Sequence, residues 1–174
     1  MTDPPPDPNP KWGPPRTRTI TWFAPQPVSE EVAGLSGQEY LRGIIDGRFP
    51  PPPIAAVTGG QLVSIGEGEA VFRCRPDESF LNPLGLVHGG LLCALLDSAM
   101  GIAVQTTQPA GRGYATIELK VSFLKPVPHD GSEVEARGRV LRVGRRIAYA
   151  EAHAYDSNGT LVGHATSSLA SFGR

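Results

Sequence analysis

Apolar residues recur along this chain with two different spacings, and the switches between them divide it into elements. Residues 36–47 open with Ser36-Gly-Gln-Glu39, a capping box, and continue with Leu41, Ile44 and Ile45 at helical spacing until Gly47. Phe49 and the four prolines after it predict a stiff strap. Strands are expected at 61–65 and 69–75, flanking Gly66-Glu-Gly68. Residues 76–87 read as a loop leading into a helix over 89–105 that is apolar on nearly every side, which marks it as a core element. Over 114–124 the period becomes two: Ala115, Ile117, Leu119, Val121 and Phe123 share one face, and Thr116, Glu118, Lys120 and Ser122 the other. After a loop at 126–131, strands 133–143 and 146–155 turn at Gly144. In the second of them Ala148, Ala150, Ala152 and Ala154 form a smooth face on which a helix can sit closely. Asp156-Ser-Asn-Gly159 is a hairpin turn into the last strand, 160–172. A curved antiparallel sheet wrapped around a single apolar helix, an α+β fold, accommodates this order.

Composition sharpens the picture at the N-terminus. Half of the 18 prolines precede Val28, among few apolar residues, so 1–28 reads as a disordered or polyproline-like arm and 29–174 as one domain. Trp12, Trp22 and Phe23 are the exceptions and could dock the arm onto a neighbour. A net charge of −1, with Arg145-Arg146 as the sole adjacent basic pair, argues against a nucleic-acid partner. The longest apolar run, 91–104, is broken by Asp97 and is too short to span a bilayer, and the first residues lack the basic and apolar segments of a signal peptide. Cys74 and Cys93 make no disulfide framework and no metal-ligand spacing, and Cys93 reads as a core thiol. A soluble cytoplasmic protein without a metal is the expectation.

The candidate chemistry lies between Asn82 and Asp97. A loop ends in His88-Gly89-Gly90 and runs directly into the apolar helix, whose first charged residue is Asp97. A helix N-terminus presents unpaired N–H groups and a partial positive charge, and two glycines there let a carbonyl approach the backbone. A carboxylate inside an apolar run needs a partner or a task. Donors for a developing oxyanion plus an inward carboxylate suggest acyl chemistry. Yet Gly89 and Asp97 are eight residues apart, about 12 Å along one helix, too far to act on the same atom. Two helices crossing antiparallel on a two-fold axis would bring each N-terminus to the other's Asp97, so a working site is expected to need a dimer.

Asn82-x-x-Gly85-x-x-His88-Gly89-Gly90, six residues and then Asp97 resemble the signature of hotdog-fold acyl-CoA thioesterases, most nearly the phenylacetic-acid-degradation (PaaI-type) branch. The similarity extends over about 36–172, including Thr116-Ile-Glu-Leu-Lys-Val121 and Gly144-Arg-Arg146, and leaves out the proline-rich arm. It implies hydrolysis of an acyl-CoA thioester by a homodimer or homotetramer, with no cofactor beyond the CoA of the substrate. It further implies Gly89 N–H as oxyanion donor and the partner's Asp97 as general base or nucleophile. Asn82 and His88 would hold the loop and orient the carbonyl or water, Thr116 would position water, and Arg145 and Arg146 would pair with CoA phosphates.

Plainer readings stand beside these. Asp97 could be a satisfied structural carboxylate, His88 a helix cap, Gly90 a packing residue, Thr116 an ordinary strand residue, and Arg145-Arg146 a solvated turn. His129 reads as a loop residue, and His153 and His164 as sheet-face or subunit-contact residues. Rival functions are an acyl-CoA hydratase on the same fold, which would add water without releasing CoA, and a non-catalytic acyl-CoA sensor.

Overall fold

A computed structural model describes residues 9, 11, 13–24 and 30–173. After a four-residue helix α1 (Glu30–Ala33), Ser36 caps α2 (Gly37–Ile45). Its hydroxyl accepts from Glu39 N–H while the Glu39 carboxylate accepts from Ser36 N–H, the reciprocal pair that the sequence announces. The proline strap ends sooner than expected. Pro53 instead occupies the first turn of a short helix, α3 (Pro53–Thr58), which Gly59 closes at φ 70°. Proline there has no N–H to lose and already holds a helical φ, so the proline run both stiffens the approach and starts the helix.

Strands β1 (Gly60–Gly66) and β2 (Glu69–Cys74) precede α4 (Gly89–Thr106); β3 (Arg112–Phe123), β4 (Val134–Val143), β5 (Ile147–Tyr155) and β6 (Leu161–Gly173) follow it. They form one six-stranded sheet in the order β1-β2-β4-β5-β6-β3, each neighbouring pair antiparallel. Helix α4 packs on the concave face against all six strands. Leu92, Leu95, Leu96, Ala99, Met100 and Val104 are at most 4% exposed, and each such Leu buried contributes about 1.5–3 kcal/mol. The four alanines of β5 are at most 1% exposed beneath it. At Gly138 of β4 the approach is backbone to backbone: a Cβ there would lie 2.3 Å from Ala99 O. By length and composition alone α4 could cross a membrane, but 61% of it is buried within the fold, which identifies it as the core helix.

Strand β3 departs from strict alternation. Its pairing with β6 slips between Thr116 and Glu118, so Ile117 is an extra, bulged residue and is 55% exposed. The bulge exchanges the two faces. Leu119 and Val121 pack on the core as the alternation predicts, but before the bulge it is Tyr114 that packs there, and Thr116 faces α4. Ala115 and Ile117 are exposed, not inward.

Within the arm, residues 13–24 run without regular secondary structure and are fastened by Arg18, whose guanidinium bonds Val57 O at 2.9 Å and Ser79 Oγ at 3.1 Å. Trp22 and Phe23 are exposed; Trp12 lies outside the described residues.

Candidate active site

The loop before α4 is built to present its glycines. Asn82 Oδ1 accepts from the N–H groups of Leu84 and Leu86, at 2.9 and 3.1 Å, and Gly85 takes the left-handed φ of 74° that closes the turn. A bridge between Leu81 and Val87 and a bond from His88 N–H to Phe80 O, 2.8 Å, tie the loop's base. With Oδ1 spent on the loop, the Nδ2 amide is the remaining polar group of Asn82.

His88 is the N-cap of α4. Its Nδ1 accepts from Gly90 N–H at 2.8 Å, which assigns the ring proton to Nε2, and its carbonyl accepts from Leu91 N–H at 3.0 Å. These two bonds consume the second and third amides of the helix. The first, Gly89 N–H, donates to no acceptor among the described residues. The capping reading of His88 is what the structure shows: the cap engages Gly90 and leaves the Gly89 amide without an acceptor among the described residues. Gly89 lines a cleft of about 430 Å³ with Asn82, Val87, Leu92, Phe123 and Lys125, and Lys125 is the one charged residue of that lining.

Asp97 occupies the open side of the same helix. The α4 positions that pack on the sheet are buried, whereas Cys93, Ala94, Asp97 and Ser98 form a half-buried stripe. Thr116 Oγ1 donates to Asp97 Oδ1 at 2.8 Å. The threonine hydrogen is therefore spent on the carboxylate, and the hydroxyl has only lone pairs to offer a water. Cys93 lies one turn before Asp97 on this stripe and not in the core as its apolar surroundings predicted; burial and the Asp97 charge both raise its thiol pKa. A protonated thiol fits a bystander better than a nucleophile.

The candidate residues fall into two groups at opposite ends of one seam. Strand β3 runs antiparallel beside α4. Phe123 lies over Gly89 and Thr116 bonds Asp97, while the Tyr114 ring covers Gly101 and Arg112 O accepts from Gln105 Nε2. Arg145 and Arg146, exposed in the β4–β5 turn, belong to the Asp97 end: Arg146 O accepts from Ser171 N–H, and Ser171 pairs with Tyr114. One protomer therefore brings together Asp97 and Thr116, with Arg145 and Arg146 at the same sheet end. It separately brings together Asn82, His88, Gly89 and Gly90, and it does not join the two sets.

Sequence reasoning missed the Phe123 ring over Gly89, the cleft with Lys125, and the face that Thr116 occupies. The bulge leaves no mark in a strand whose residues alternate without a break, so the last had no signal to find. No cluster of histidine, cysteine or carboxylate side chains suited to a metal occurs among the described residues. On the outer sheet face His153 and His164 are paired neighbours with ring centroids 4.7 Å apart, and His129 is an exposed loop residue.

Comparison with known proteins shows what the chain as a whole is similar to. The sequence signature of the Thioesterase superfamily matches residues 84–163. A protein of Saccharolobus solfataricus described as a candidate esterase is 31% identical over 101 residues, 58% of this chain and 70% of that one. Mouse acyl-coenzyme A thioesterase 13 is 27% identical over 89 residues, 51% of this chain and 62% of that one. Among solved structures, a candidate thioesterase of Ralstonia eutropha related to phenylacetic acid degradation superposes with a TM-score of 0.69 at 29% identity, covering 75% of this chain and 98% of that one.

Proposed function

Since the chain belongs to the Thioesterase superfamily and is a thioester hydrolase on the hotdog fold, we propose that its substrate is an acyl-CoA and that each site is shared between two copies of the chain. The observation that carries this reading is the segregation along α4: a free amide at Gly89 and a carboxylate at Asp97, about 12 Å apart on one rigid helix. Neither half can complete the reaction alone. A second copy, its α4 antiparallel to the first, supplies to each half what it lacks. Two exposed features favour such pairing. Strand β3 forms one edge of the sheet, with Ile117 and Phe123 more than half exposed, and the half-buried stripe on α4 stays uncovered within the protomer.

In the composite site the thioester carbonyl oxygen accepts from Gly89 N–H, with Asn82 Nδ2 a further donor of that loop. The helix N-terminus stabilises the charge that develops on this oxygen. Asp97 of the other copy, held at Oδ1 by Thr116, has Oδ2 left to act. As base it takes a proton from water while the water oxygen attacks the carbonyl carbon; as nucleophile it attacks directly and water later cleaves the anhydride. In both routes the tetrahedral intermediate collapses with loss of the CoA thiolate, which takes its proton from Asp97 in the base route and from solvent water in the nucleophile route. Arg145 and Arg146, at the Asp97 end and without ion-pair partners among the described residues, meet the CoA phosphates. The apolar cleft beside Gly89 takes a chain of the substrate.

Thiol release from a panel of acyl-CoAs tests this reading. The parent protein is expected to turn over at least one member, and Asp97→Asn to lower kcat about 10³-fold with an unchanged fold. An Asp97→Asn protein as active as its parent removes Asp97 from the mechanism.

A further inference from the structure

The proline-rich arm precedes the stretch that matches the superfamily, yet one of its side chains reaches the base of the donor turn. We propose that Arg18 is a positioning residue for the Gly89 oxyanion donor, an inference that rests on the hydrolase reading above. The Arg18 side chain is 28% exposed and joins three segments, the arm, the end of α3 and the turn before the site loop; an exposed ion pair of 2.7 Å between Arg16 and Glu78 also links the first of these to the last. Nη2 donates to Val57 O at 2.9 Å and Ala56 O at 3.4 Å, carbonyls at the end of α3 that lack intrahelical partners. Nη1 donates to Ser79 Oγ at 3.1 Å, Nε lies 3.3 Å from Asp77 Oδ2, and Cζ stands 5.0 Å from the centre of the Phe80 ring. A planar fork with five donors can serve carbonyls, a hydroxyl and a carboxylate at once, and stack on a ring as well.

The far side of this clamp is the turn that starts the site loop. Asp77 caps a one-turn 3₁₀ helix, Glu78–Phe80, accepting from Ser79 N–H at 2.8 Å and from the Ser79 hydroxyl. The Ser79 bonds, with the Arg18 charge behind them, hold the Asp77 carboxyl below the usual carboxylate range. Phe80 then passes the constraint on, because its carbonyl accepts from His88 N–H at 2.8 Å. His88 is the residue whose ring holds Gly90 and whose carbonyl holds Leu91. Displacement of Phe80 therefore moves the cap, and the cap sets the direction of the Gly89 N–H. A displacement of about 1 Å at such a donor costs on the order of 10²-fold in rate.

The test uses the full chain as parent, Arg18→Ala and Arg18→Lys, with two readouts. In acyl-CoA hydrolysis, Arg18→Ala is expected to lower kcat about 10–100-fold with KM changed less than about twofold, because the donor works mainly in the transition state. In amide hydrogen exchange, Gly90 and Leu91 are expected to exchange about tenfold faster, while Met100 and Val104 in the core of α4 keep parental rates. Arg18→Lys restores part of both, since an ammonium reaches Asp77 but cannot span the other partners; it also carries the comparison if Arg18→Ala does not fold. Parental kcat and parental Gly90 exchange in Arg18→Ala overturn the proposal. So does uniform acceleration along α4, the mark of general destabilisation. A parent that releases thiol from no acyl-CoA defeats the hydrolase reading instead; exchange then decides the brace, with local acceleration supporting it and unchanged rates overturning it.

Discussion

The chemistry assigned to Gly89 resides in a single hydrogen, and glycine's own neighbours provide a way to isolate it. A Cβ at this position would lie 2.9 Å from Cζ of Phe123, a ring that is 56% exposed and free to shift. Gly89→Ala and Gly89→Pro impose that same contact, but only proline removes the N–H. Proline is well tolerated at the first position of a helix, and His88, at φ −65° and ψ 134°, already has the extended backbone that must precede it. Gly89→Pro is therefore expected to lower kcat about 10²–10³-fold, and Gly89→Ala by less than about tenfold, with similar melting temperatures. Equal losses in steady-state kinetics would show that crowding by Phe123, and not the donor, matters. At this scale the sequence was informative wherever local chemistry decides. Asn82 and His88 form bonds to residues a few positions away, Gly89 takes its place from the helix start, and their spacing displays them. Thr116 and Cys93 were harder, because each depends on a face set by distant packing: Thr116 reaches Asp97 only through a slip in strand pairing, and Cys93 looks buried until the open side of α4 is known.

Elements followed the same division. Helix α2 was legible from its capping box, and α4 from its length and apolar character. Helix α3 carries the usual asymmetry of helix termini, Pro53 at its start and Gly59 at its end, but the proline run before it reads as an extended strap and masks that signal. Strand β3 was located nearly to the residue, but its faces were not, since a bulge depends on what the neighbouring strand does. The alanine column of β5 foretold a closely seated helix, and the contact at Gly138 shows how close. Gly138→Ala would drive a methyl into Ala99 O and Met100 N, at 2.3 and 2.9 Å, both backbone atoms of α4. The cost is expected to be about 2–3 kcal/mol, seen calorimetrically as a fall of about 5–10 °C in melting temperature. A melting temperature within a degree of the parent's would mean that the helix is held less tightly than this contact implies.

For the whole molecule, the decisive property is that the two sets of candidate residues belong to different ends of the protomer. This gives a test that needs no knowledge of the acyl group beyond one working substrate. Asp97→Asn keeps an intact donor turn, and Gly89→Pro keeps an intact carboxylate. Unfolded together in equal amounts and reassembled, the two inactive proteins are expected to recover about one quarter of parental activity: half of the random dimers are mixed, and each mixed dimer holds one complete site of two. Separately refolded samples that are combined afterwards serve as the control. No recovery from mixed, demonstrably dimeric protein would place the donor and the carboxylate in independent sites.

With each site shared between two copies as proposed, the spacing of Gly89 and Asp97 on one unbroken helix also shapes the rate law. A catalyst divided between molecules has no turnover number of its own when it is dilute. Below the concentration at which copies associate, velocity rises with the square of the amount present, so that halving expression costs the cell three quarters of the flux and not half.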